Sequence, residues 1–320
     1  MVLEKDVTGP SLFKRMEENR LLVLSGPTAS GKTALALSLG RILPLEIVNA
    51  DSLQVYRGMD IGTAKPAVSE RREVPHHLID VADPDEEYNA GRFVAEAEEA
   101  IRGIRRRGRF PLVAGGTGMY IRSLLRGLDA LPSDAGIRAG LARRWEEEGG
   151  AALFSELRTV DPPSAEAIHP SDRVRLLRAL EVAAIAGAPP STLKRRWAEG
   201  AGKFRILFIA ISMDRDELYR RVDARVDDMF RRGLVDEVRG LLSKGYAPDL
   251  KPMKALGYRH VVGHLSGAVS LPGAIAEIQR DTRRYAKRQL TWLSREPDAV
   301  WIGTENAAGA AAEIAKKFLF

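Results

Sequence analysis

An α/β fold, in which an open parallel sheet is flanked by helices and broken by an all-helical insertion, is the class that this 320-residue sequence predicts. Three observations point there. Short apolar runs recur between stretches of helical periodicity, the pattern of strands buried on both faces. The first run, Leu21-Leu22-Val23-Leu24, leads through Gly26-Pro27-Thr28-Ala29-Ser30-Gly31-Lys32-Thr33 into a helix-forming stretch. From Asp134 to about Gly200 the patterning is helical and rich in arginine and alanine, with no convincing strand.

The elements follow in order. After the first strand and its loop, Ala34 to Leu39 starts a helix. Leu45-Glu46-Ile47-Val48-Asn49-Ala50 is a second strand ending at Asp51-Ser52, and Ala90 to Arg107 is an amphipathic helix. Phe110-Pro111-Leu112-Val113-Ala114 is a short buried strand that stops at Gly115-Gly116-Thr117-Gly118. Arg205 to Ile211 is the next strand, with a long helix from Arg215, and Ala299-Val300-Trp301-Ile302 is the last. Ala307 to Ala315 is a terminal helix. Turn signals at Leu131-Pro132-Ser133-Asp134, Gly187-Ala188-Pro189-Pro190 and Gly200-Ala201-Gly202 bound the insertion. The expected organisation is therefore a core over residues 1–133 and 203–320, with the insertion over 134–202.

Composition narrows the class. Hydrophobic residues make up 45% and charged residues 29%, which suits a water-soluble core and no membrane span. Met1-Val2-Leu3-Glu4-Lys5-Asp6 lacks the basic start and apolar core of a secretory signal. The absence of cysteine excludes disulfides and thiolate zinc sites, and a cytoplasmic location is expected. Net charge is +6, with arginines grouped at 105–107, 143–144, 173–178 and 280–288 and a basic triplet at Lys194-Arg195-Arg196. Any one group reads as a solvated helix face; the set argues for a polyanionic partner.

The loop Gly26 to Thr33 is G-x-x-x-x-G-K-T between a strand and a helix, the phosphate-binding loop of P-loop NTPase-like folds. Its glycines let backbone N–H groups turn inward onto phosphate oxygens, and the helix adds the positive end of its dipole. Lys32 supplies a mobile charge, and the Thr33 hydroxyl is placed to hold Mg²⁺. In open parallel sheets ligands collect beyond the carboxyl ends of strands. Asp51-Ser52-Leu53-Gln54 and Gly115 to Gly118 should therefore meet this loop. Asp51 there can hold Mg²⁺, act as a base, or cap the following turn. The strand Leu112-Val113-Ala114 does not end in the acid that P-loop NTPases use, and Leu78-Ile79-Asp80 is a candidate substitute among turn signals. That departure suits a diphosphate held as a leaving group. In the insertion, Val174, Leu177 and Leu180 should face a core and leave Arg175 and Arg178 together on another face. Late in the chain, Arg280, Arg284, Lys287 and Arg288 lie at helical spacing beside Tyr285 and Trp292. Those aromatics either stack on bases or belong to the core. From the residues alone, a P-loop kinase and a non-catalytic RNA-binding protein also remain open.

Longer blocks carry a resemblance. Asp51-Ser52-Leu53-Gln54-Val55-Tyr56-Arg57-Gly58-Met59-Asp60-Ile61-Gly62-Thr63-Ala64-Lys65-Pro66 follows the phosphate loop. Gly115-Gly116-Thr117-Gly118-Met119-Tyr120-Ile121, Leu256-Gly257-Tyr258-Arg259, and Arg283-Arg284-Tyr285-Ala286-Lys287-Arg288-Gln289-Leu290-Thr291-Trp292 come after it. Together they resemble the bacterial tRNA dimethylallyltransferases (tRNA isopentenyltransferases) over nearly the whole chain. The resemblance implies transfer of a dimethylallyl group from dimethylallyl diphosphate to N6 of the adenosine just 3′ of the tRNA anticodon (position 37), with Mg²⁺ and release of diphosphate. It implies Asp51 as general base, and Thr117 and Arg225 as catalytic or diphosphate-contacting residues. Gly26, Pro27, Thr28, Ala29, Ser30, Gly31, Lys32 and Thr33 are implied to bind diphosphate. Asp51, Ser52, Leu53 and Gln54, then Arg138, Arg175 and Arg178, then Lys254, Gly257, Tyr258 and Arg259, and finally Arg284, Lys287 and Arg288 are implied to meet tRNA. The insertion would grip the anticodon stem-loop, and the enzyme would act as a monomer. The zinc finger often found at the C-terminus of eukaryotic relatives has no counterpart in a chain without cysteine, and Met1 to Arg20 matches nothing in the resemblance.

Overall fold

The computed structural model describes residues 19–128, 131–193 and 203–320. The chain before Asn19 and the triplet Lys194-Arg195-Arg196 lie outside the described residues. Two compact units are present, one of residues 1–125 and 203–320, the other of residues 126–202.

The larger unit holds strands β1 (Arg20–Ser25), β2 (Leu45–Asn49), β3 (His76–His77), β4 (Phe110–Gly115), β5 (Arg205–Ile211) and β6 (Ala299–Ile302). All pair in parallel, in the order β3-β2-β4-β1-β5-β6. Among the described residues, four helices come ahead of the insertion: α1 (Lys32–Ile42), α2 (Val68–Glu73), α3 (Ala90–Arg106) and α4 (Gly118–Arg126). Side chains alternate across the sheet, so Leu21 and Val23 enter one apolar layer while Leu22 and Leu24 enter the other. Both layers are buried, which is why these strands read as unbroken apolar runs. β3, only two residues long, carries no such run and was not legible.

The second unit, among the described residues, contains helices only: α5 (Ala135–Glu148), α6 (Gly150–Val160), α7 (Pro162–Ala167), α8 (Arg173–Ala186) and α9 (Pro190–Leu193). Its core joins Leu141, Leu153, Leu157, Leu176, Leu177 and Leu180. Two carboxylates are fully buried there. Asp161 accepts hydrogen bonds from the backbone and hydroxyl of both Ser164 and Ser191, tying α7 to α9. Glu181 accepts from Arg138, Arg178 and the Asp134 backbone, tying α5 to α8. The expected core face of α8 is corrected: Val174 is 79% exposed and Leu176 takes the inward position. Asp172 caps α8, and Val174 lies in its first turn, ahead of the packed stretch. Arg178 is drawn to Glu181 and the Leu131 and Pro132 carbonyls, whereas Arg175 stays largely open beside Asp172.

The chain then supplies α10 (Arg215–Arg231), α11 (Leu234–Ser243), α12 (Tyr258–Leu265), α13 (Leu271–Leu293) and α14 (Ala307–Leu319). Helices α3, α4 and α10 to α13 contribute to the layer on the Leu21 side, and α1 and α14 to the layer on the Leu22 side. Among the described residues no helix is long and apolar enough to cross a membrane.

Candidate active site

β1 and β4 end together: Ser25 is in register with Gly115, and the Ser25 hydroxyl donates to the Gly115 carbonyl at 2.7 Å. β2 ends beside them, with the Ala50 N–H donating to Ala114 at 2.8 Å and the Thr117 N–H to Ala50 at 3.2 Å. The three loops predicted to converge therefore do so. Gly115 has to be glycine, because a Cβ would stand 2.2 Å from the Ala50 carbonyl oxygen.

In the phosphate loop Gly31 adopts φ +89°, the left-handed turn that starts α1. No side chain caps α1 and no acid lies in its first turn, so its N–H groups are left for an anion. Lys32 Nζ donates to the loop's own Pro27 carbonyl at 2.7 Å. Burial of this ammonium, helped by the nearby Arg225 guanidinium and opposed by Asp51, brings its pKa down to about 7.

Asp51 Oδ1 accepts from the Leu53 N–H at 2.9 Å and more weakly from Gln54, so it caps its turn. Oδ2 has no hydrogen-bond partner among the described residues. One carboxylate thus serves as a cap and still offers a free oxygen. Thr117 Oγ1 accepts from the Ser52 N–H at 3.0 Å, which fastens the Asp51 turn to the glycine turn.

Gln289 escaped sequence reasoning. Its Oε1 accepts from the Thr28 N–H at 2.7 Å and its Nε2 donates to the Gly116 carbonyl at 3.0 Å. The side chain is 3% exposed and staples the phosphate loop to the glycine turn. Gln289→Leu keeps the volume and leaves both backbone groups unpaired, at about 1–3 kcal/mol each. A lowered midpoint of thermal unfolding together with weaker diphosphate binding is the expected result. Unchanged diphosphate affinity would show that the staple does not shape the loop.

Two cavities open on these loops. A recess of about 50 Å³ is lined by Lys32, Thr33, Asn49, Asp51, Gln54 and His76, among others. A larger cavity of about 320 Å³ is walled by Leu53, Tyr56, Tyr88, Tyr120, Val226, Met229, Leu256 and Ile278, with Thr28, Asp51, Arg225 and Tyr285 on it. Asp51 lines both. Arg225 is held at 3.5 Å from the Thr63 carbonyl, and burial lowers its pKa while Asp51 offsets this; a guanidinium remains charged. Burial and Asp51 raise the Tyr285 pKa, so its phenol keeps its proton. The wall at Gly62-Thr63 is fixed by Glu237, whose carboxylate accepts from the Asp60, Ile61 and Gly62 N–H groups and the Tyr258 hydroxyl.

An oxygen donor set of one hydroxyl (Thr33), one carboxylate (Asp51) and side-chain amides around the small recess suits Mg²⁺, which keeps several waters and needs few protein ligands. No group of three or more His, Cys, Asp or Glu that could hold a metal occurs among the described residues. Asp80 is not the missing NTPase acid: Lys65 Nζ and Arg71 bind it at 2.6 Å each, in an ion cluster with Asp60 of which Lys65 is the buried member.

The residues expected at RNA divide into groups. Lys254, Arg259, Arg284, Lys287 and Arg288 are exposed; Ser52 and Leu53 are half-buried at the cavity. Arg138 and Arg175 are exposed on the helical unit, and Arg178 is half-buried against Glu181. Gln54 is buried, donating to the Thr63 carbonyl, and Gly257 is buried as well. Tyr258 is corrected: it is fully buried against Gly62 with its hydroxyl on Glu237, so it braces the cavity wall and offers no surface. The aromatics of α13 turn inward. Tyr285 lines the cavity, and Trp292 packs on Gly118 and edge-on to Phe208.

Comparison with known proteins identifies the family. The sequence model of the IPP transferase family covers residues 54–296. Over 297 residues the chain is 50% identical to tRNA dimethylallyltransferase 1 of Pelobacter propionicus, spanning 92% of this chain and 94% of that protein. The crystal structure of the tRNA isopentenylpyrophosphate transferase of Bacillus halodurans aligns with a TM-score of 0.70 and 35% identity, over 94% of this chain and 97% of that one. A eukaryotic dimethylallyltransferase captured acting on tRNA aligns with a TM-score of 0.80 and 28% identity, over 94% of this chain and 79% of that one.

Proposed function

The chain belongs to the IPP transferase family and is a tRNA-prenylating transferase; from that premise we propose that it moves a dimethylallyl group from dimethylallyl diphosphate to N6 of the adenosine just 3′ of the anticodon. One observation carries the reading: Asp51 lines both the recess shared with Lys32 and Thr33 and the larger apolar-walled cavity. A carboxylate at that junction can take a proton from an amine in the large cavity while the neighbouring loop receives a leaving diphosphate.

The chemistry follows. The N6 lone pair forms a bond to C1 of the dimethylallyl group as the C1–O bond breaks, and diphosphate leaves with the electron pair. An adenine amine is a weak nucleophile, since its lone pair is delocalised into the ring. The free Oδ2 of Asp51 accepts the N6 proton, which keeps the new bond from reverting. Negative charge grows on the departing diphosphate, and the open N–H groups of the loop and α1, with Lys32 and Arg225, stabilise it where it appears. Thr33 would hold Mg²⁺, which when bound would supply further charge neutralisation to the leaving group. Leu53, Val226, Met229 and Ile278 exclude water from the reacting carbon. A target base has to leave the anticodon-loop stack to enter such a cavity. The exposed Lys254, Arg259, Arg284, Lys287 and Arg288 supply phosphate contacts, as Arg138, Arg175 and Arg178 do on the helical unit. A tRNA substrate with a cysteine-free sequence supports the cytoplasm as its place.

Incubation with tRNA and dimethylallyl diphosphate, followed by mass spectrometry of the nucleosides, tests the proposal. N6-dimethylallyladenosine at the position 3′ of the anticodon is expected. Phosphate transfer from ATP to a small acceptor, with no prenylated nucleoside, would favour a kinase instead.

A further inference from the structure

The basic face of α13 carries an acid that an RNA-binding surface would be expected to avoid. Asp281 is 15% exposed at its side chain, and basic groups converge on it from two helices. Arg259 Nη2 and His260 Nε2 reach Oδ2 at 2.7 and 3.2 Å. Arg280 Nε and Arg284 Nη1 reach Oδ1 at 3.2 and 3.5 Å. The Gly257 N–H points at His260 Nδ1 (3.4 Å), so Nε2 carries the hydrogen and donates to Asp281. Burial works against the carboxylate, yet the bonds from Arg280, His260 and Arg259 outweigh it and hold its pKa below the usual range. The arginine side chains are themselves 49%, 50% and 66% exposed, so they radiate outward from an inner anchor.

We propose that Asp281 is a positioning residue that pre-organises Arg259, Arg280 and Arg284 into a fixed cation array for tRNA backbone phosphates. The inference rests on the reading of this face as a tRNA surface. Two effects compete at this site. Removing the acid deletes one negative charge from a surface that meets phosphates, a gain that is screened over about 8 Å at physiological ionic strength. Removing it also frees three long side chains, each of which then has to be ordered on binding at a cost of roughly two- to tenfold in affinity. Positioning outweighs charge, so loss of a negative group from a polyanion-binding face weakens binding.

The test compares tRNA affinity across a salt series for Asp281→Asn and for the pair Arg259→Ala with Arg284→Ala. Asp281→Asn is expected to bind tRNA about five- to twentyfold more weakly near physiological salt. Its salt slope should be unchanged, because the same cations still meet the phosphates, and so should the KM for dimethylallyl diphosphate and kcat. Affinity that stays the same or tightens overturns the proposal. The arginine pair is expected to weaken binding and lower the salt slope by about two phosphate contacts. If the pair changes neither, the surface reading itself is wrong, whatever Asp281→Asn does. Should Asp281→Asn fail to fold, Asp281→Glu decides: retained charge on a longer arm should weaken tRNA binding by a few-fold, and wild-type affinity would overturn the proposal.

Discussion

Asp51→Asn is expected to slow prenyl transfer by about 10²–10⁴-fold, the usual contribution of a placed general base. Asparagine is the informative replacement. Its carbonyl oxygen can still accept from the Leu53 and Gln54 N–H groups that Oδ1 now serves, so the turn survives. What disappears is an oxygen able to take the N6 proton. Asp51 also raises the Lys32 pKa, so its loss pushes that pKa below about 7, and donor affinity should be compared across a pH series that reaches well below 7. A single-turnover rate that falls while dimethylallyl diphosphate and tRNA bind normally matches the assignment. A rate within a few-fold of wild type would remove Asp51 from the chemistry and leave it as a turn cap.

Lys32→Ala should lower the transfer rate by a comparable 10²–10³-fold, the typical cost of losing one group that stabilises a developing anion. tRNA affinity should change little, because the loop faces the leaving group. Equal loss of both would move the RNA site onto the loop. The unliganded Lys32 also makes a prediction about pH. Its pKa of about 7 means that the ammonium is charged below that pH and neutral above it. A bound diphosphate attracts the proton and raises the pKa. Binding above pH 7 therefore takes up a proton, and affinity falls as pH rises, by up to about tenfold per unit until the bound-state pKa is reached. Calorimetry in two buffers of different ionisation enthalpy measures that uptake directly. Lys32→Arg, whose charge does not titrate in this range, should abolish it; uptake that persists in this variant would assign the proton to another group.

Much of the site was legible because it is local. The phosphate loop is eight consecutive residues, and its spacing alone fixes where the backbone turns and where the lysine and threonine fall. Asp51 was found by its place at the end of an apolar run, and the capping reading of it holds while its second oxygen has no hydrogen-bond partner among the described residues. Resemblance supplied Arg225; no nearby pattern marks an arginine in a helix rich in alternating charges. Gln289 had no local signal either, since its partner Thr28 lies 261 residues away. Tyr258 sits in a segment whose neighbours Lys254 and Arg259 are exposed, and only the Glu237 carboxylate on another helix turns it inward. Val174 misled because the periodicity of α8 was read from a residue in its first turn.

The sequence by itself determined five of the six strands and the loop proposed to receive a diphosphate. These depend on contacts within a few residues and on the alternation of side chains along a strand. Which charges would be buried was decided in three dimensions. Asp161, Glu181 and Asp281 look like ordinary solvated acids in the chain, and each is enclosed because donors from two segments close over it. The larger cavity is likewise a product of packing, assembled from the Asp51 turn, α4, α10, the segment around Pro252 and α13. Desolvation and convergence depend on what folds against a residue, and no stretch of sequence contains its own distant neighbours.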